Sequence, residues 1–166
     1  NDLFEKVYDA AKEFNGRVIA PNTIRTIEGG ILSYGSDFDR SHNPFTIGFD
    51  RLVDLDQKND FIGKDALRKI KERGLTEKLV GIELEGDPIM KAPENFWTVK
   101  RNNLKVGRVS RAFFSPRLEK NIALAIVDID NAEEGTPVVV ETPNGDLNSM
   151  VVSLPWFNAD KDTHLD

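Results

Sequence analysis

Apolar positions at the start of the chain recur at three- and four-residue steps. In DLFEKVYDAAKEF (2–14), Leu3, Val7, Ala10, Ala11 and Phe14 share one face, which predicts an amphipathic helix. Asn15-Gly16 provides a stop, and the apolar run RVIA (17–20) reads as a buried strand or connector. Asn22 or Thr23 can cap a second, shorter helix in which Ile24, Ile27 and Ile31 fall along one stripe. Gly29-Gly30 offers that helix a left-handed exit. Residues 35–60 are rich in Gly, Asp, Ser and Asn and read as loops around FTIGFDRLVDL (45–55). Helical spacing returns in FIGKDALRKIKER (61–73), which Gly74 closes.

Past Gly74 the period changes. EKLVGIELEG, FWTVKR, LKVGRVSRAFF, KNIALAIVDID, TPVVVET and DLNSMVVSLP are six strand-like runs rich in Val and Ile. Asn102-Asn103 and PNGD (143–146) are hairpin-turn signals between them. The pattern predicts an α+β chain, with a helical and mixed portion over 1–76 and an antiparallel barrel or sandwich after it. We take the second unit as a β-barrel of jelly-roll or Greek-key type over 77–157, with a tail at 158–166. No internal repeat or low-complexity tract interrupts this order.

Composition narrows the function classes. With 39% hydrophobic and 30% charged residues, the chain is an ordinary globular sequence. Its longest apolar runs, VVV (138–140) and IALAIV (122–127), are far too short to span a bilayer. A net charge of −6 argues against a nucleic-acid partner, because phosphate binding relies on dense positive charge. The absence of cysteine removes disulfides, thiolate metal sites and cysteine nucleophiles together, and fits a cytoplasmic setting. His42 and His164 lie far apart in polar surroundings without a second ligand at metal spacing, so no metal site is expected. No basic-then-apolar leader opens the sequence, and Asn1 stands where Met would begin a new chain. A processed chain or part of a longer one is the expectation.

One residue is locally misplaced. Glu28 ends the short second helix, where the carbonyl dipoles favour a cation by about 0.3–1 kcal/mol. Two readings stand open: a side chain that reaches solvent, or a carboxylate aimed into a pocket to accept paired N–H donors. An amidine-like ring edge, as in a guanine or pterin, carries such a pair, and charge-assisted bonds to it are strong. Tyr34, six residues on, is either a packed aromatic with a wet hydroxyl or a wall for a flat ligand. Lys100, Arg101, Lys105, Arg108, Arg111, Arg117 and Lys120 either solvate strand faces or form an anion-steering patch. The odd spacing of Arg108 and Arg111 puts them on opposite faces of a regular strand, which counts against one patch. Asp37, Asp39, Asp50, Asp54 and Asp56 lack the spacing of a calcium loop and read as solvated loop acids. Neither a phosphate-binding GxxxxGK[ST] loop nor a GxSxG nucleophile elbow is present.

Five stretches follow one another in a familiar order: RTIEGGILSYGSDFD, NPFTIGFDRLVDL, DFIGKDAL, VGRVSRAFFSPRLEKNIALAIV and SLPWF. Together they resemble the carboxy-terminal half of the glycine-cleavage T-protein family of folate-dependent aminomethyl and methyl transferases. The wording SYG-x-DFD and NPF is closest to dimethylsulfoniopropionate demethylases and similar members. The cysteine-containing KGCYxGQ-type signature of the related iron–sulfur-maintenance proteins is missing.

The resemblance implies tetrahydrofolate as one-carbon acceptor, with Glu28 in the place of the glutamate that binds the pterin edge. The family usually has Arg two residues before this Glu, whereas here Thr26 stands there and Arg25 is displaced by one. A second family position, basic in several members, falls near Gln57 or Lys58. The resemblance further implies that catalytic groups, including an aspartate near the reacting folate nitrogen, lie in an amino-terminal portion this chain lacks. The partners so implied are that portion, tetrahydrofolate and a small methyl or aminomethyl donor. The donor is a sulfonium or related compound in the demethylase branch, and is carried on a lipoyl protein in the aminomethyl branch. This piece alone would be inactive. The competing reading is non-catalytic, with residues 77–155 as a docking barrel and the helical part as its scaffold.

Overall fold

The structure, a computed structural model, describes residues 2–19 and 22–156. The expected tail at 158–166, and His164 within it, lie outside the described residues. Three α-helices precede six strands: α1 (Asp2–Lys12), α2 (Thr23–Glu28), α3 (Lys64–Arg73), β1 (Glu77–Leu84), β2 (Trp97–Arg101), β3 (Leu104–Ser115), β4 (Lys120–Asp128), β5 (Pro137–Thr142) and β6 (Gly145–Val152). The strands close into an antiparallel barrel in the order β1-β4-β3-β2-β5-β6, with β1 also pairing β6. The meander β2-β3-β4 with β1 laid beside β4 is a Greek key, as the sequence pattern led one to expect. The tight β2–β3 turn follows from Asn102 and Asn103, both at positive φ, a conformation asparagine tolerates.

The barrel interior is aliphatic. Val80 and Ile82 of β1, Val99 of β2, Ala123, Ala125 and Val127 of β4, Val140 of β5 and Val151 of β6 meet in one cluster. On β3 the buried residues come every third position, at Val106, Val109, Ala112 and Ser115, rather than every second. Two bulges explain the steps from Val106 to Ala112, while Ser115 is buried on the outer face, toward α2. The register slips against β2 between Val99 and Lys100, and against β4 between Val109 and Arg111. Each extra residue lets the next inward side chain fall one place later and sharpens the local bend.

β4 is buried on both faces. Its odd-numbered side chains fill the barrel, while Ile122 and Leu124 form a second cluster with Ile27 of α2 outside the wall. Residues Leu154 and Trp156 cover the same cluster after β6. Gly81 of β1 leaves room for this: a Cβ there would stand 2.9 Å from the Trp156 ring.

Several expectations are corrected here. Residues 17–19 form no strand and are not buried: Val18 is 63% and Ile19 89% exposed. The run has no sheet edge to join, since the barrel is closed on itself. Ile27 is fully buried, but Ile31 is exposed because the chain has already left α2. The third helix begins at Lys64 rather than residue 61, since Gly63 at φ 94 cannot belong to it. α1 has the predicted periodicity, yet none of its residues is buried.

Candidate functional site

The short α2 is held by its ends. The Asn22 side-chain oxygen accepts from the backbone of Ile24 at 2.8 Å and of Arg25 at 3.4 Å. At the other end Ile31 N–H bonds Thr26 C=O at 2.8 Å and Gly30 N–H bonds Ile27 C=O at 3.0 Å. This is a Schellman motif, and it needs the left-handed conformation that Gly30 adopts at φ 61. The motif turns the chain away sharply and leaves Glu28 at the helix end against the outer wall of the barrel.

Arg111, Phe113 and Ser115 alternate along β3 and face α2. The Ser115 hydroxyl donates to Glu28 Oε1 at 2.6 Å, and Arg25 Nη1 donates to Oε2 at 3.2 Å. The Glu28 side chain is only 3% exposed, whereas that of Arg25 is 61% exposed. Trp156 N–H also bonds the Glu28 carbonyl at 3.0 Å. Glu28 therefore does not reach solvent, and the chain itself supplies a donor to each carboxylate oxygen. Arg25, three residues earlier on α2, provides the cation that the helix end lacked. Ser115 was not singled out from the sequence; the period-two run Arg111-Phe113-Ser115 was the available signal.

A buried clamp fixes the segment after α2. Arg111 forks onto Asp37, with Nε to Oδ1 at 2.9 Å and Nη2 to Oδ2 at 2.6 Å. The same guanidinium reaches Thr26 Oγ1 at 2.8 Å and the Ile31 carbonyl at 2.7 Å. Ser110 Oγ donates to Asp37 Oδ1 at 2.6 Å and Ser33 N–H to Oδ2 at 2.7 Å. Asp37 is thus a fully satisfied buried anion, not a solvated loop acid. The bulge at Ser110 cancels the odd spacing of Arg108 and Arg111, and both point to the 31–43 segment.

Arg108 donates to His42 Nε2 at 3.1 Å and lies over the Phe96 ring at 5.1 Å. Because Arg can only donate, Nε2 accepts from it, while Nδ1 lies 3.1 Å from the Asp39 backbone nitrogen and 3.0 Å from Asp39 Oδ1. The His42 side chain is buried at 3% exposure, contrary to the polar surroundings its neighbours suggested. Hydrogen bonds from the Ser41 hydroxyl and backbone hold the Asp39 carboxyl below its ordinary pKa. Lys100 pairs with Glu141 and Lys120 with Glu83, while Arg101 bonds Asn131. With Arg108 and Arg111 also engaged internally, these side chains do not assemble one anion-steering patch.

Tyr34 is 64% exposed. Its ring meets Phe38 edge-on at 5.7 Å, and Phe38 meets Phe49 at 6.4 Å, so a row of aromatics starts from it. Lys58 is exposed, whereas the lysine that folds inward is Lys64, whose Nζ donates to the Gln57 carbonyl at 2.6 Å. Among the described residues, no hydrogen bond, ion pair or ring contact joins Glu28 to Tyr34 or Lys58. A groove of about 950 Å³ between residues 87–98 and the β5–β6 hairpin has none of the three in its lining. No helix of the described residues is long and apolar enough to cross a membrane.

Comparison with known proteins places this geometry. Residues 77–158 match the glycine cleavage T-protein C-terminal barrel domain. An aminomethyltransferase of Thermoanaerobacter sp. (strain X514) is 36% identical over 159 residues, covering 94% of this chain and 42% of the relative. One from Caldanaerobacter subterraneus subsp. tengcongensis is 38% identical over 158 residues, covering 93% and 41%. The chain thus spans less than half the length of these relatives. In fold it is similar to the crystal structure of glycine cleavage system aminomethyltransferase T from Bartonella henselae, with a TM-score of 0.69 at 23% identity over 79% of this chain and 36% of that one. A Greek-key barrel carrying the family's domain pattern, preceded by a helical portion that aligns with the same relatives, places this chain in the glycine-cleavage T-protein family, as its carboxy-terminal part.

Proposed function

We propose that this chain is the carboxy-terminal part of a tetrahydrofolate-dependent one-carbon transferase acting in the cytoplasm, and that the transfer is of an aminomethyl group. The observation that carries this reading is the match to aminomethyltransferases across both the helical portion and the barrel. The same relatives favour the aminomethyl branch over demethylation of a sulfonium donor.

The donor set suits the cofactor. Tetrahydrofolate presents an amidine-like ring edge, and Glu28 is a carboxylate buried at 2% exposure. A carboxylate oxygen can accept more than one hydrogen bond, so Oε1 keeps acceptor capacity beside Ser115. Glu28 would hold the ring edge, Tyr34 would wall the cofactor, and Lys58 would offer it a cation. When bound, the cofactor supplies the five-position nitrogen that takes up the one-carbon unit. The chain's own part is to fix orientation, which can contribute several kcal/mol, about 7–11 at the extreme, to a transfer between two substrates.

The apolar face of α1 fits the same picture. Leu3 is 76%, Phe4 59% and Val7 60% exposed, and we assign their cover to the amino-terminal portion of the longer protein. The catalytic groups would lie in that portion, and this piece alone would be inactive.

The test is tetrahydrofolate binding by calorimetry on the longest natural chain containing this sequence, with and without Glu28→Ala. We expect binding in the wild type and a loss of roughly tenfold or more in the variant, the scale of one hydrogen bond to a charged group. Turnover with a lipoyl-protein-bound aminomethyl donor, but not with a methylsulfonium donor, would fix the branch. Unchanged binding in Glu28→Ala removes the role given to Glu28. A wild type that ignores folate leaves the docking barrel as the better reading.

A further inference from the structure

The two oxygens of Glu28 are held very unequally. Oε1 takes a short 2.6 Å bond from Ser115, a residue with no exposed surface on a strand of the barrel wall. Oε2 takes a longer 3.2 Å bond from Arg25, whose side chain is 61% exposed on a six-residue helix. Ser115 is itself anchored, since its Oγ also accepts from Leu118 N–H at 3.2 Å. That second bond leaves the hydroxyl hydrogen directed at the carboxylate. The backbone behind Glu28 is fixed by Trp156 N–H. One oxygen is therefore tied to a rigid sheet, and the other is covered by a mobile class of side chain that water can replace.

We infer that Ser115 is a positioning residue for the Glu28 carboxylate, and that Arg25 is an exchangeable cover on Oε2 which the ligand's N–H donors displace. This rests on the folate reading above and deepens it. A guanidinium and an amidine-like ring edge present the same kind of planar N–H donor, so they compete for one acceptor. A carboxylate with both oxygens free to swing would lose orientation on binding. With Oε1 pinned, the remaining lone pairs keep one direction, and less ordering is needed when the ligand arrives.

The test uses the longest natural chain with tetrahydrofolate as the probe, comparing wild type with Ser115→Ala, Ser115→Thr and Arg25→Gln. Calorimetric affinity, KM and kcat, and the thermal midpoint are read for each. Ser115→Ala is expected to bind tetrahydrofolate about tenfold more weakly, the usual scale of a hydrogen bond to a charged group. Ser115→Thr keeps the hydroxyl and should recover most of that loss. Arg25→Gln removes a competitor and should bind more tightly than wild type, with KM falling and kcat holding.

A wild type that does not bind tetrahydrofolate overturns the folate reading and this inference together. A wild type that binds, beside a folded Ser115→Ala that binds equally well, overturns the inference alone. Should Ser115→Ala fail to fold, the Arg25→Gln variant decides: binding there no tighter than wild type overturns the exchange. A thermal midpoint lowered equally in Ser115→Ala and Ser115→Thr, without recovery of affinity, marks a structural role only and also overturns it.

Discussion

The barrel and the segment before it are built on opposite terms. In the barrel, strands far apart in sequence bury each other's aliphatic side chains, and every strand has a partner on both edges. In residues 2–76 the described large apolar side chains that are buried are Ile27, Phe45, Ile47 and Leu55, and Ile27 packs on the barrel wall. Leu3, Phe4, Val7, Phe14, Ile31, Leu52 and Ile62 stay exposed. A helix with an apolar face and nothing to set it against has not finished folding its environment, because most helix stability comes from tertiary packing. The junction differs again. It is held by a buried ion pair, Asp37–Arg111, and by the Glu28–Ser115 bond, with Ile27 packed between. Polar ties of this kind confer direction that an aliphatic contact lacks, and α2 is the element whose direction matters to the proposed site.

The contrast can be broken most severely at the junction. Arg111→Ala leaves Asp37 buried and unpaired, and should lower stability by about 3–5 kcal/mol. Denaturant unfolding monitored by Trp156 fluorescence should show it; a loss below about 1 kcal/mol would mean that α2 does not rely on this clamp.

A smaller effect is expected within the barrel wall at Gly107. A Cβ there would come 2.4 Å from the Ile126 carbonyl oxygen and 2.7 Å from a Val127 methyl. Gly107→Ala should cost about 1–3 kcal/mol through forced displacement of β3 from β4. An unchanged midpoint would show that this stretch of wall is looser than its register implies.

On α1 the expectation is near zero. Val7→Ser in this 166-residue chain should change stability by no more than about 0.5 kcal/mol, because the side chain already faces water. The same change in a longer natural chain should cost more if the proposed cover exists, and equal effects in both would remove that cover.

The smallest effect concerns acid. Asp39 has its carboxyl pKa lowered by Ser41, so the unfolded chain binds its proton more readily than the folded one. Its contribution is present above the ordinary carboxylate pKa of about 3.9 and fades as pH falls through the lower folded value. Ser41→Ala should bring the Asp39 titration, followed by carboxyl NMR, back toward the ordinary range. No movement would exclude the serine as the cause.

What could be read directly from the amino-acid order was local. Period-two alternation, two asparagines at positive φ and the Pro-Asn-Gly turn specify strands and hairpins through short-range sterics. Asn22, Gly29 and Gly30 likewise announce the ends of α2. The oddness of Glu28 was visible too, because a helix end has a known charge preference.

Tertiary structure decided the rest. It supplied Ser115 from 87 positions away as the partner of Glu28, and Arg111 from 74 positions away as the partner of Asp37. It turned two arginines of odd spacing toward one segment through a bulge that no composition marks. It buried Asp37 and His42 while leaving Val18 and Ile19 in water. The physical reason is common to all four. Burial and pairing depend on which surfaces the closed sheet brings together, and only the folded register of β3 against β4 and α2 determines that.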